Sequence, residues 1–169
     1  MGEGPVTQGT TTIAFTRDLR AETGANVFSL SAFSSRRATS PSRDYLKSVI
    51  DRLDELCSLE AGWDGYVAPP VSFSNANFAL SMLASAWPPD APEPQIVPGS
   101  GGDLQVEWHS DATDIELHVR GPYNVRAWRF VQGGGEDGEE LHLTTDFKVV
   151  AGWLAELSEA SVAARSAAA

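Results

Sequence analysis

Leu104-Gln105-Val106-Glu107-Trp108-His109 alternates apolar and polar residues without a break, the period of two that a half-buried strand requires. The alternation returns in Ile115-Glu116-Leu117-His118-Val119-Arg120 and again from Val125 to Val131. Turn-forming residues separate the runs, first Ser110 to Thr113 and then Gly121-Pro122-Tyr123-Asn124. Hairpin pairing across the first connection sets His109 opposite Asp114, so Trp108 faces Ile115 and Val106 faces Leu117. Treating the second connection as a four-residue loop sets Arg120 opposite Val125. Leu117 then faces Trp128 and Ile115 faces Phe130. One face becomes wholly apolar, while Glu107, Glu116 and Arg129 share the other. Ile96, just ahead of Pro98, adds a first strand at an edge. Leu141 and Leu143 add a fifth.

Before the sheet the period changes to that of helices. Leu46, Val49, Ile50, Leu53, Leu56 and Cys57 recur on one helical face, with Asp51, Asp54 and Glu55 away from it. Ser40-Pro41 supplies a capping hydroxyl and a first-turn proline, so the spacing predicts a helix over 42–59. A second helix begins at Ser72 or Ser74, buries Phe73, Ala76, Leu80, Leu83 and Trp87, and stops at Pro88-Pro89. Thr145 or Asp146 caps a third, whose face is Phe147, Val150, Leu154 and Leu157. The resulting fold class is α+β, an antiparallel meander of about five strands with two or three helices on one face.

Between the first two helices lies Glu60-Ala61-Gly62-Trp63-Asp64-Gly65-Tyr66-Val67-Ala68-Pro69-Pro70. Most connections are short and polar. This one carries Trp63 and Tyr66, and it reads as a turn that plugs the core with its indole. A buried ring there would make Trp63→Ala cost about 3–5 kcal/mol. Asp64 is placed to cap backbone N–H groups of the turn.

The 169 residues divide into an N-terminal arm over 1–41, a single α+β domain over 42–158, and an alanine-rich tail over 159–169 expected to fray. The arm reads as poorly ordered, with an extra edge strand as the alternative. Formal charge is −11. Residues 1–43 hold five of the 12 basic and three of the 23 acidic residues, leaving −13 on the remainder. So acidic a body disfavours nucleic acid and anionic lipid, and suits a basic protein partner. No apolar run approaches the ~18 residues of a membrane span. No secretory signal opens the chain, and the lone Cys57 suits a reducing cytoplasm.

Chemistry-bearing patterns are sparse. His109, His118 and His142 all fall on the outer sheet face, but with Arg129 expected among them they make a poor zinc site. Gly133-Gly134-Gly135 lacks a phosphate-loop ending, and Glu136, Asp137, Glu139 and Glu140 would repel phosphate. That loop also lacks the ligand order of a calcium-binding helix–loop–helix site. Glu107 and Glu116 are cross-strand neighbours, an arrangement that fits a solvated ladder better than a glycosidase pair. Cys57 sits on an apolar stripe, as packing. Asp64, between Trp63 and Gly65, is the one acid in an unusual setting.

Gly62-Trp63-Asp64-Gly65-Tyr66-Val67-Ala68-Pro69, followed by Gly101-Gly102-Asp103-Leu104-Gln105-Val106-Glu107-Trp108, resembles the pattern of a group of small bacterial proteins. That group pairs a Trp-Asp-Gly-aromatic-x-Ala-Pro turn and helix with a Gly-Gly-x-Leu-Gln-x-Glu-Trp strand. Its members often carry glycine where Val67 stands. The resemblance implies a bacterial or phage origin and brings no activity with it.

The sequence therefore favours a non-catalytic protein that binds and masks a basic partner, in the manner of an antitoxin, an immunity protein or a phage inhibitor. No cofactor or metal is implied. The binding turn would be Trp63, Asp64, Gly65 and Tyr66. Arg36 and Arg37 on the arm, with Glu136, Asp137, Glu139 and Glu140 on the acidic loop, are further partner contacts. The alternative is a small-ligand binder or enzyme in which Asp64 acts as base beside an aromatic wall of Trp63 and Tyr66.

Overall fold

The computed structural model describes residues 46–88, 90–134 and 138–167. The expected arm, the helix start at Ser40-Pro41, and Arg36, Arg37, Glu136 and Asp137 lie outside the described residues. Two helices come first, α1 (Lys47–Cys57) and α2 (Phe73–Ala86). Five strands follow, β1 (Gln95–Pro98), β2 (Leu104–His109), β3 (Thr113–Gly121), β4 (Asn124–Val131) and β5 (Glu139–Leu143), and α3 (Lys148–Ala167) closes the order. The strands pair in sequence order, every neighbour antiparallel. This is the expected open α+β meander.

The first hairpin has the register read from the sequence, with His109 opposite Asp114, Trp108 opposite Ile115 and Val106 opposite Leu117. The second does not. Only Gly121↔Asn124 keeps the expected offset. Between Val119 and Gly121 the register slips, leaving Arg120 as an extra residue. Such a bulge moves every later side chain by one place. Val119 therefore meets Val125, Leu117 meets Ala127, and Ile115 meets Arg129. Trp128 and Phe130 pass to the outer face, where their rings stack 6.1 Å apart and 10° from parallel. Ile115 and Trp128, expected together, stand on opposite faces.

Arg129 moves the other way, into the layer between sheet and helices. Its guanidinium lies 5.8 Å from the Trp153 ring and pairs with Glu156 on α3. A cation over an indole is favourable where water is scarce. Nε of Arg129 is buried without a hydrogen-bond partner. The glutamates of the outer face consequently lack the arginine expected between them, and Gln105 donates to Glu116 there instead (2.8 Å).

The core forms on the inner face, where Leu104, Val106, Trp108, Ile115, Leu117, Val119, Val125 and Ala127 are fully or almost fully buried. α1 buries Val49, Ile50, Leu53 and Leu56, close to the expected stripe. Cys57 packs beside it. Burial, assisted by the Asp54 charge, pushes that thiol up and so away from the reactive thiolate. On α2 the buried face is turned from the expected one. Asn75, Ala76, Ala79, Met82, Leu83 and Ala86 face inward, while Phe73 and Leu80 reach only its margin. Alanines let the helix lie close to the sheet, and the Asn75 amide meets the turn between β1 and β2. Ser72 is the N-cap, its hydroxyl accepting from the Asn75 N–H. Asp146 caps α3 through the Lys148 N–H (3.0 Å). Trp153 joins Phe147, Val150, Leu154 and Leu157 beneath that helix. The alanine-rich stretch expected to fray is helical as far as Ala167.

Two joints fix the layers to each other. Trp87 and Trp108 both donate their indole N–H to the Pro92 carbonyl, at 3.1 and 2.9 Å. The proline-rich crossover from α2 to β1 is thereby held against the core. At the opposite end the Gly102 carbonyl accepts from the Ser72 N–H and from the Asn75 amide, both at 2.9 Å. Gly102 has φ 78°, and a Cβ there would stand 3.3 Å from the Pro70 oxygen, so glycine is required. Replacing Asn75 by Ala should cost about 1 kcal/mol. It should also speed hydrogen exchange at the Ser72 amide more than at the strand amides. Denaturant melts together with native-state exchange measure both effects.

Candidate functional site

The loop after α1 is closed on itself by its own backbone. Gly62 N–H donates to the Ala68 carbonyl and Gly65 N–H to the Gly62 carbonyl, both at 2.8 Å, and Trp63 N–H donates to Glu60 (3.1 Å). Gly62 has φ 82°, and a Cβ there would lie 3.1 Å from the Tyr66 oxygen. That conformation is open to glycine at little cost. The Asp64 carboxylate accepts from the Tyr66 N–H (2.9 Å) and the Ala68 N–H (3.2 Å) through one oxygen. Asp64 is thus the turn cap that its position suggested.

Trp63 does not plug the core. Its ring is half-buried, and its N–H donates to the Pro69 carbonyl of the same loop (3.0 Å). Ala68 and Val71, each 2% exposed, provide the inward anchor instead, and the Val71 N–H donates to the Leu56 carbonyl. At the tip, Tyr66 is 84% and Val67 89% exposed. The loop therefore holds two apolar side chains out in water on a fixed backbone. The aromatic wall imagined around Asp64 does not form, because Tyr66 points away from the protein while Trp63 lies back against Pro69.

Beside this loop, the β1–β2 turn carries Asp103. One of its oxygens accepts from the Gly101 N–H (3.1 Å) and the other meets Nε2 of His118 on β3. Burial alone would raise the Asp103 carboxyl. The hydrogen bonds from His118, from its own backbone and from Gly101, with the His118 charge, outweigh that and hold it below the usual range. His118 borders a shallow depression of about 370 Å³ on the outer sheet face, lined also by Gln105, Glu116, Arg126 and Trp128. Each of its charged groups has a partner, since Arg126 pairs with Glu140 (3.1 Å) and Glu116 takes the Gln105 amide.

All three histidines do lie on the outer face, but they do not converge. Among the described residues no cluster of three or more His, Cys, Asp or Glu is placed to hold a metal. His142 is near Glu140 (3.8 Å), and His109 bonds Asp114 (2.9 Å) and Glu107 (3.2 Å). Of the acidic-loop contacts, Glu140 is thus already engaged and Glu139 is exposed opposite Arg129 in the ladder. No described helix is long and apolar enough to cross a membrane. The outer-face aromatics Trp128 and Phe130 were missed in the sequence because the bulge at Arg120 reversed their facing. The sequence places Tyr66 in a binding turn, but not its near-complete exposure or that of Val67, because aromatic residues in a turn read as core.

No family model, no curated protein and no solved structure matches the chain.

Two outcomes follow from this geometry. Trp63→Ala should cost only about 1 kcal/mol, as a half-buried ring that lies outside the core, whereas Asp64→Ala should cost about 1–2 kcal/mol by stranding two N–H groups; thermal melts rank the pair. The His109 imidazole, hydrogen-bonded to Asp114 and Glu107, should titrate above the ordinary value. NMR titration should find it lowered in Asp114→Asn. Because the folded value is raised, the contribution of His109 to stability is complete below about pH 6.5 and fades as pH rises through the folded value.

Proposed function

We propose that this protein is a non-catalytic binder of another protein, and that the loop at 62–68 is its contact element. The observation that carries this reading is the pair Tyr66 and Val67, almost fully exposed on a backbone already fixed by hydrogen bonds. Exposed apolar groups on a loose loop cost entropy to immobilise when they bind. On a fixed loop that cost has been met during folding, so more of the contact energy appears as affinity. Tyrosine suits the centre of an interface, because it buries a large ring and keeps a hydroxyl for a rim contact.

The charge of the chain selects the kind of partner. With a net charge of −11, association with a basic protein is accelerated over long range and association with acidic ones is suppressed. Glu60 is exposed at the base of the loop, and on the preceding helix the exposed Asp51 and Glu55 are paired with Lys47 and Arg52. A partner with an apolar socket rimmed by Lys and Arg fits this surface. Masking such a surface is what antitoxins, immunity proteins and phage inhibitors do, and the likeness of the 62–69 and 101–108 segments to small bacterial proteins is in keeping with a cytoplasmic role of that sort. The rival in which Asp64 serves as a base finds no support, since its carboxylate is committed to the turn.

Affinity capture from a bacterial lysate with wild type and with Tyr66→Ser/Val67→Ser tests the proposal. Both positions are exposed, so the double variant should melt within about 0.5 kcal/mol of wild type. Wild type should retain a basic protein that the variant loses, and retention should fall as salt rises from about 0.1 M to about 1 M. Identical retention by the two forms would remove the loop from the interface.

A further inference from the structure

A second concave surface lies away from the loop tip, between α2, the β3–β4 turn and the segment joining β5 to α3. It is an open groove of about 430 Å³, a volume within the range of small-molecule sites. Three aromatic rings shape its apolar wall. Phe78 meets Tyr123 edge-to-face at 5.3 Å and Phe147 at 6.1 Å. The rim is made of Ser74, Asn77, Ser81, Ser85, Thr144 and Thr145. Among the described residues no charged side chain lines it, although charged residues make up 21% of the chain. Asp146, between Thr145 and Phe147, is turned to the Lys148 N–H instead.

Tyr123 reaches this wall at the expense of its backbone. With φ 62° it is the only non-glycine residue in the left-handed region among those described. A bulky residue seldom adopts that conformation, and positions that retain it cluster at functional sites. Its ring is 63% exposed although it touches Phe78. The turn thus holds an aromatic side chain at the lip of the groove where glycine or asparagine would fit more easily.

The hydroxyls along α2 also have a polarity. Ser81 gives its proton to the Asn77 carbonyl (2.9 Å) and Ser85 to the Met82 carbonyl (2.7 Å). What these two oxygens still offer is lone pairs, while the neighbouring Asn77 amide in the same wall can both donate and accept. Ser81 and Ser85 stand one helical turn apart, about 5.4–6 Å, close to the span between hydroxyl oxygens on opposite sides of a pyranose ring.

We propose that this groove binds one ring of a neutral sugar. An uncharged lining has nothing to offset the cost of desolvating an ionic ligand, which favours a neutral one. The aromatic wall suits the flat C–H face of a pyranose, and two acceptors beside an amide that donates and accepts match the several hydroxyls of a single ring. A peptide presents one N–H per residue and matches that set less well.

The uniformly labelled full chain, screened on an array of neutral and of sialylated or sulfated glycans and then titrated by NMR with the neutral trisaccharides retained, tests this. At least one neutral glycan should bind and shift the amides of residues 78–85, 122–124 and 144–147. Ser81→Ala/Ser85→Ala removes the acceptors while keeping good helix formers, and should weaken binding at least about tenfold without lowering the melt. Tyr123→Asn, which tolerates the left-handed backbone, should do the same. The proposal is overturned if no neutral glycan moves these amides at about 10 mM, if only charged glycans are retained, or if the shifts fall at Tyr66 or on the outer sheet face. Because the groove and the loop tip are different surfaces, either proposal can fail without the other.

Discussion

One carbonyl, that of Gly102, takes a hydrogen bond from the backbone of Ser72 and another from the side chain of Asn75. It is where the helical pair and the sheet agree on their relative position. Asn75 is buried, 7% exposed, and a buried amide without a partner is costly; the contact therefore holds as long as the core does. It sets the first turn of α2 beside the β1–β2 turn and brings Pro70 against Gly102. The loop that precedes α2 is then anchored at its far end, and its tip is held out in water. Below the same turn, Asp103 and His118 continue the chain of polar contacts onto the outer face.

The opposite end is held by different means. There the Pro92 carbonyl is shared by two indoles, and Ser158 of α3 donates to the Asp90 carbonyl (2.9 Å). A crossover rich in proline has few N–H groups of its own to offer, so it is fixed through its carbonyls by side chains from α2, β2 and α3. The two ends thus divide the work. One is closed by apolar and aromatic residues, and the other carries the exposed loop, the groove beside Tyr123 and the His118 depression.

Much of this was legible in the residues. The period of two over Leu104–His109 and Ile115–Val119 gave the first hairpin residue for residue, because a simple turn leaves the count intact. The stripes of α1 and α3 and the caps at Ser72 and Asp146 were readable for the same local reasons, whereas the face of α2 was only partly so. What could not be read was a single uncounted residue. Arg120 looks like any other polar position of an alternating strand, and a bulge has no signature unless the partner strand is known. Its effect was to place Trp128 and Phe130 in the wrong layer and Arg129 in the other. The exposed loop tip failed for the reverse reason. Composition placed Trp63 and Tyr66 in the core, whereas the small residues Ala68 and Val71 serve there.

The five tryptophans fall into two optical classes as a result. Trp87, Trp108 and Trp153 are 5%, 2% and 4% exposed, while Trp63 and Trp128 are half-buried near the surface. Emission from the first three reports on the packed interior. The redder, more quencher-accessible light should come from one indole in the tip loop and one on the outer sheet face, which no described helix covers. The chain thus carries its own fluorescent markers for its two outward surfaces, with no label to be attached.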